Sequence, residues 1–336
     1  MVKKTTIELE KMQRLVMAFY HGWYGNPWGP SGKWLHWNHW IMDTLRGEIT
    51  GWHNPDTFVS SNRRDLGAVH YPLLGPYDVK DPEVLRTHFK WAKEAGIDGF
   101  IFDWCGPPGD YIDKNFELML NTSFEIRYNL TFAVLYDDYQ YRNAPPQEVY
   151  KELNYIISKY GNNPSFLKVQ EYPVIFIYAC QHFHYTIWAE IISRLKREAG
   201  LEAIFLCDTP LEEYLQVFDG VYTYTPAEIL HHGQNLYEIY SSMIRAAKKN
   251  NALYALTVLP GYDDTVIRKP GFKVPRSDGA TYSYTWNTVL EHDPKWVFIC
   301  SWNEWHEGTE IEPSFEEGFK YLNLTKQYID KFKEKE

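Results

Sequence analysis

Two glutamates three residues apart, Glu304 and Glu307, stand in the segment Ser301-Trp-Asn-Glu-Trp-His-Glu-Gly-Thr-Glu-Ile-Glu312. They follow the apolar run Trp296–Cys300 and are flanked by Trp302, Trp305 and His306. Bulky rings around two nearby carboxyls can drive their pKa values apart, leaving one protonated and the other ionised. Glycoside cleavage uses that division: one group protonates the leaving oxygen while the other assists attack at the anomeric carbon. The competing interpretation is a solvated acidic loop in which Asn303 and Glu304 cap the next helix. The position at a strand end among Trp and His favours chemistry.

Other polar and aromatic residues gather at the ends of apolar runs. Asp103-Trp104, Tyr136-Asp137-Asp138, Tyr222-Thr-Tyr224 and Pro260-Gly-Tyr-Asp-Asp-Thr265, with Arg268 just beyond, each close one. Such a rim suits a polyhydroxylated ligand, although any one of these residues could be an ordinary loop cap. We take Tyr24, His70, Tyr71, Trp104, Tyr136, Tyr222, Tyr224, Asp264, Arg268, Trp302, Asn303 and His306 as candidate substrate contacts. His36 and His39 invite a metal, but no carboxylate or cysteine completes a zinc pattern, so no metal or other cofactor is expected. Neither a nucleophile elbow nor a phosphate-binding loop occurs.

These residues must be held by a frame. Eight short runs rich in β-branched and aromatic residues read as strands buried on both faces: Leu15–Tyr20, Ile97–Trp104, Leu130–Tyr136, Tyr172–Ala179, Ala203–Cys207, Phe218–Tyr224, Ala252–Leu259 and Trp296–Trp302. Helical patterns fall between them at Pro82–Ala95, Gln147–Tyr160, Thr186–Ala199, Leu236–Lys249 and Tyr282–Glu291, with a terminal helix near Glu316–Lys331. Asp81 is a plausible N-cap for the first, with Pro82 at N1 and Gly96 as its stop. Strand and helix alternate without a flexible linker. This predicts an α/β fold, a (β/α)8 TIM barrel forming a single domain over residues 1–336. The exception is a long insertion after the first strand, from His21 to roughly Leu85, which should cover the C-terminal face of the barrel, where active sites of this fold lie. A doubly wound open sheet is the alternative, but Gly22-Trp-Tyr-Gly-Asn26 lacks the glycine spacing of its phosphate turn.

Composition bounds the partners. A net charge of -10 without a long basic run argues against nucleic acid and against an anionic membrane surface. Aromatic residues make up 17% of the chain, which suits either an aromatic core or rings stacked on sugar faces. The apolar run Leu15–Phe19 is shorter than the roughly 7–15 residues of a secretory core, so the chain as it stands reads as cytoplasmic, and as secreted or periplasmic if a leader has been removed. The four cysteines (Cys105, Cys180, Cys207, Cys300) are widely spaced and read as buried thiols. Nothing in the sequence bears on oligomeric state.

At these same residues the chain resembles glycoside hydrolase family 99, the endo-α-1,2-mannosidases and endo-α-1,2-mannanases. The resemblance rests on Trp23-Tyr-Gly-Asn-Pro27, Gly32-Lys-Trp-Leu-His-Trp37, His70-Tyr-Pro with Gly75-Pro-Tyr77, and Ala95-Gly-Ile-Asp-Gly-Phe100 with Asp103-Trp104. It continues through Pro260-Gly-Tyr-Asp-Asp-Thr265 with Arg268, and is most specific at Asn303–Glu312. It implies a barrel and a retaining mechanism in which no sugar is bound covalently to the enzyme. Glu304 would deprotonate a mannoside 2-hydroxyl, which attacks C1 to give a 1,2-anhydro sugar. Glu307 would protonate the departing oxygen and then activate water. Tyr24, Trp104 and one of Tyr222 or Tyr224, with Tyr224 favoured, fall where the family places sugar contacts. The chain departs from the pattern at His21, at Cys105, and at Leu135-Tyr-Asp-Asp-Tyr139, where a His-x-Glu-Pro-Tyr-like segment is expected. The expected partner is an oligo- or polysaccharide. The alternatives are a transglycosylase or glycosyltransferase of polysaccharide assembly, and a catalytically silent carbohydrate-binding protein.

Overall fold

The strand runs are apolar at almost every position because each strand has two buried faces. In the computed structural model, which describes residues 12–137 and 143–334, these runs form β1 (Leu15–Tyr20), β2 (Gly99–Trp104), β3 (Thr131–Tyr136) and β4 (Tyr172–Ile177). They continue as β5 (Ile204–Cys207), β6 (Gly220–Tyr222), β7 (Leu253–Val258) and β8 (Trp296–Ile299). Each pairs in parallel with the next, and β8 pairs back with β1, closing the ring. This is the (β/α)8 barrel.

Alternate side chains divide between two cores. Met17, Phe19, Leu135, Phe176 and Phe298 fill the barrel interior, with Phe298 lying edge-on to Phe176 at 5.1 Å. Val16, Ala18, Tyr20, Phe100 and Val134 pack outward against the helices. Gly99 is required by sterics, since a Cβ there would sit 1.7 Å from the Thr131 carbonyl oxygen.

The outer layer follows the chain through α1 (Pro82–Glu94), α2 (Tyr111–Ile126), α3 (Pro146–Tyr160) and α4 (Tyr185–Ala199). The one-turn α5 (Glu212–Leu215) and short α6 (Ala227–His231) precede α7 (Leu236–Lys249), α8 (Ala280–His292) and α9 (Lys320–Lys333). Asp81 caps α1 by accepting the Glu83 N–H at 2.9 Å, and Gly96 beyond its end has φ +81. The α2 helix was not visible in the hydrophobic pattern, because its buried face carries Asp113, Asn115, Thr122 and Ser123 among the apolar residues. The sixth and eighth strands are shorter than expected, as the chain turns out of the ring at Thr223 and Cys300 to build the site. The terminal helix begins at Lys320 rather than near Glu316. All four cysteines are buried, and none is in a disulfide.

The insertion is not a bare loop. Trp40–Asp43 and Glu48–Trp52 form an antiparallel hairpin, and Arg268–Lys269, from the segment after β7, joins Trp40–Asp43 in parallel as a third strand. A second hairpin pairs Phe58–Ser60 with Arg63–Arg64. Among the described residues no helix is long and apolar enough to cross a membrane.

Candidate active site

The segment after β8 is folded back on itself by its own polar groups. The Ser301 hydroxyl accepts the Glu304 N–H at 2.7 Å and meets the Thr309 hydroxyl at 2.8 Å. Asn303 clasps the end of β1 in both directions: its amide donates to the His21 carbonyl at 2.9 Å and accepts the His21 N–H at 2.8 Å. Underneath, the Tyr77 hydroxyl accepts from Asn303 Nδ2 and Trp305 Nε1, at 3.2 and 3.1 Å, and donates to Glu312 at 2.8 Å. One phenol thus uses all its hydrogen-bonding capacity to hold the loop.

This holds Glu304 and Glu307 on the wall of one cavity of about 900 Å³ at the C-terminal end of the barrel. Their surroundings differ. Glu304 is buried, with its Oε1 accepting the His306 N–H at 3.1 Å. Its Oε2 lies 3.4 Å from His21 Nδ1, which also faces Asp103 Oδ2 at 3.2 Å. Burial, followed by the charges of Glu307 and Asp103, pushes the Glu304 carboxyl well above the usual range, while the His306 N–H and Arg268 pull the other way. Burial also raises Asp103 to about 7 and lowers His21 to about 3, so the imidazole between the carboxyls is neutral. Among the described residues Asp103 Oδ1 has no hydrogen-bond partner.

Glu307 is partly open, with 20% of its side chain exposed, and is ion-paired to Arg268 at 2.8 Å. The same Arg268 nitrogen reaches Asp264 at 2.9 Å and the Tyr262 hydroxyl at 3.0 Å. Burial disfavours the guanidinium charge, but Glu307 and its other partners outweigh it and hold the pKa above the ordinary arginine value. Arg268 is itself placed by the insertion: Met42 N–H donates to Ile267 O at 2.8 Å and Thr44 N–H to Lys269 O at 3.0 Å.

Of the candidate contacts, Tyr224, Asp264, Arg268 and His306 line the cavity with the two glutamates. The other eight do not. Trp104 and Tyr136 are register partners that point outward, where Trp104 Nε1 donates to Asp113 at 3.2 Å and the Tyr136 hydroxyl to Glu152 at 2.6 Å. Their inward neighbours Asp103, Leu135 and Asp137 line the cavity instead. Side chains alternate along a strand, so a one-residue offset exchanges wall for backing. Tyr222 lies in the barrel interior and donates to the Ile177 carbonyl at 2.9 Å. Trp302 packs outside the barrel against Phe100 and His88, and Asn303 makes the clasp described above. Tyr24 packs on Trp37 and accepts the Trp305 N–H at 3.2 Å. His70 meets Glu310 at 2.6 Å, and the Tyr71 ring faces Phe315 at 5.8 Å.

His21, Trp23, His39, Trp40, Tyr178, Asp208 and Phe272 also line the cavity and were not among the candidates. Strand-end position was a usable signal for Tyr178 and Asp208, which directly follow β4 and β5; Asp138 and Tyr139 lie outside the described residues. Among the described residues, no group of three His, Cys, Asp or Glu side chains could hold a metal. His36 instead stacks on Trp23, with ring centroids 4.7 Å apart.

The glycosyl hydrolase family 99 profile matches residues 11–335. The glycoprotein endo-alpha-1,2-mannosidase of Rattus norvegicus is 31% identical over 329 residues, 91% of this chain and 69% of the rat protein. That of Mus musculus is 29% identical over 365 residues, 97% and 76% of the two chains. The GH99 endo-alpha-mannosidase structure from Bacteroides thetaiotaomicron superposes with a TM-score of 0.82 at 26% identity, covering 96% of this chain and 99% of that one. With its barrel, its paired glutamates and a family match along almost its whole length, the chain belongs to glycosyl hydrolase family 99 and is a glycoside hydrolase.

Proposed function

We propose that the protein is a retaining endo-α-mannosidase that cleaves at an α-1,2-linked branch through a 1,2-anhydro sugar, with Glu304 and Glu307 as its catalytic pair. One observation carries this: both carboxyls line one cavity, one buried and driven toward its protonated form, the other ion-paired to an arginine. Related proteins of the family are named endo-α-mannosidases, which supports mannose as the sugar.

In the first step the Glu304 carboxylate takes the proton of the sugar 2-hydroxyl. O2 then attacks C1, the bond from C1 to the leaving sugar breaks, and the Glu307 carboxyl protonates the departing oxygen. In the second step the Glu307 carboxylate takes a proton from water. The water oxygen attacks C1, the C1–O2 bond opens, and O2 recovers its proton from Glu304. Two inversions at C1 retain configuration. Burial favours the neutral form of the Glu304 carboxyl, the form it takes once it holds the O2 proton after the first step, and the ion pair keeps Arg268 against Glu307. The buried Glu304 carboxyl is therefore suited to the stage of the anhydro intermediate, and it must be deprotonated when cleavage begins.

The test compares Glu304→Gln and Glu307→Gln on an α-mannobioside with a poor leaving group and on one with a good leaving group. Each variant should lose at least ~10²-fold on the poor leaving group. A leaving group that needs no protonation should restore the cleavage step in Glu307→Gln but not in Glu304→Gln. Near wild-type turnover by either variant on the poor leaving group would refute the pairing.

A further inference from the structure

The hairpin that positions Arg268 also carries an unused apolar face. In the register Trp40 lies opposite Trp52 and Met42 opposite Ile49, while Arg268 is the parallel partner of Met42. Directly opposed residues share one face of a sheet, as do alternate residues of one strand. Arg268, Met42, Ile49, Trp40 and Trp52 therefore share a face. Arg268 and Trp40 line the cavity, so this is the face turned toward the site. Its outer strand is left open, with Trp52 61% exposed and Ile49 53%. Large aromatic surface left in water beside a cleft is a common mark of a ligand contact.

We infer that Trp40 and Trp52 form an outer sugar subsite, a shelf that carries the units of the oligosaccharide on the leaving-group side of the cleaved bond. The inference rests on the mannosidase reading above. The side follows from Glu307: it protonates the departing oxygen, its ion-pair partner is Arg268, and Arg268 belongs to this sheet. A pyranose presents one face of C–H groups, and an indole offers a flat apolar surface of matching size. Trp40 at the cavity wall would carry the first unit beyond the bond and Trp52 the next. The shelf would make the enzyme favour chains with two or more leaving-group units over short glycosides.

The test uses wild type and Trp52→Ala with two substrates: an aryl α-mannobioside, which leaves the shelf empty, and a mannan oligosaccharide with at least two leaving-group units. Trp52→Ala should lower kcat/KM for the oligosaccharide by roughly threefold to tenfold, the scale of one aromatic contact, mainly through KM. The aryl substrate should change by less than twofold, and Trp52→Phe should recover most of the loss. Equal kcat/KM for the oligosaccharide in wild type and Trp52→Ala would overturn the shelf while leaving the mannosidase reading intact. An equal fall on both substrates would also overturn it, pointing to a displaced Arg268. A wild type that dimerises but becomes monomeric as Trp52→Ala would assign the face to a second copy of the chain. Wild-type protein that neither cleaves nor binds the oligosaccharide, followed by tryptophan fluorescence, would refute both readings.

Discussion

Glu304 and Glu307 are one helical turn apart in sequence and belong to different parts of the molecule. Glu304 is held by the barrel: its neighbours His21 and Asp103 sit at the ends of β1 and β2, and its loop is clasped to β1 by Asn303. Glu307 is held by the flap, through an arginine on a strand that exists only because the inserted hairpin pairs with it. The barrel side excludes water and drives a carboxyl toward its neutral form. The flap side is partly open and supplies a fixed cation. One short segment thus obtains two unlike acids by lying across the seam between a rigid frame and an added element.

The sharpest way to break this comparison is to damage each side and read stability. Trp302, buried between Phe100 and His88, belongs to the frame. Trp302→Ala should cost about 3–5 kcal/mol in denaturant unfolding, whereas Trp52→Ala on the flap should stay within about 0.5 kcal/mol. Comparable losses would mean that the flap folds as part of the barrel.

Next in size is Arg268→Met. It removes the cation from Glu307 without touching a barrel strand, and should lower kcat/KM on an α-mannoside by roughly tenfold to a hundredfold, about 1.4–2.7 kcal/mol. The main thermal transition should move much less than in Trp302→Ala. If activity were kept, the Arg268 cation would have no part in the reaction at Glu307.

His306 lies on the seam, its Nδ1–H donating to the Gly67 carbonyl and its ring packing 4.1 Å from that of His39. Burial, reinforced by His39 and His36, holds its pKa well below the ordinary histidine value. An unfolded histidine binds a proton near pH 6.5 while the folded one does not, so its contribution to stability is complete above that pH and is lost as pH falls. Between pH 6.5 and 4.5 the wild type should therefore lose more stability than His306→Gln, by at most about 2–3 kcal/mol at ~1.4 kcal/mol per unit. Parallel losses in the two proteins would mean that His306 is charged in the fold.

Much of this was legible in the residues. Eight apolar runs, their order, the Asp81 cap with its Gly96 stop, and the carboxylates at the end of the last strand all follow from local pattern. Burial on two faces writes itself into almost every position of a strand, and a helix end needs particular residue types within a few positions. Tertiary structure decided what local pattern leaves open. Trp104 and Tyr136 were candidates and Asp137 was passed over because parity along a strand shows only when neighbouring strands are in register. Thr44 reaches Pro270 across 226 residues, and no spacing in the chain announces that a hairpin near the start will seat an arginine near the end. His21, Asp103 and Glu304 meet for the same reason: ring closure brings the ends of β1, β2 and β8 together, and the low dielectric that shifts their pKa values exists only once the barrel has closed.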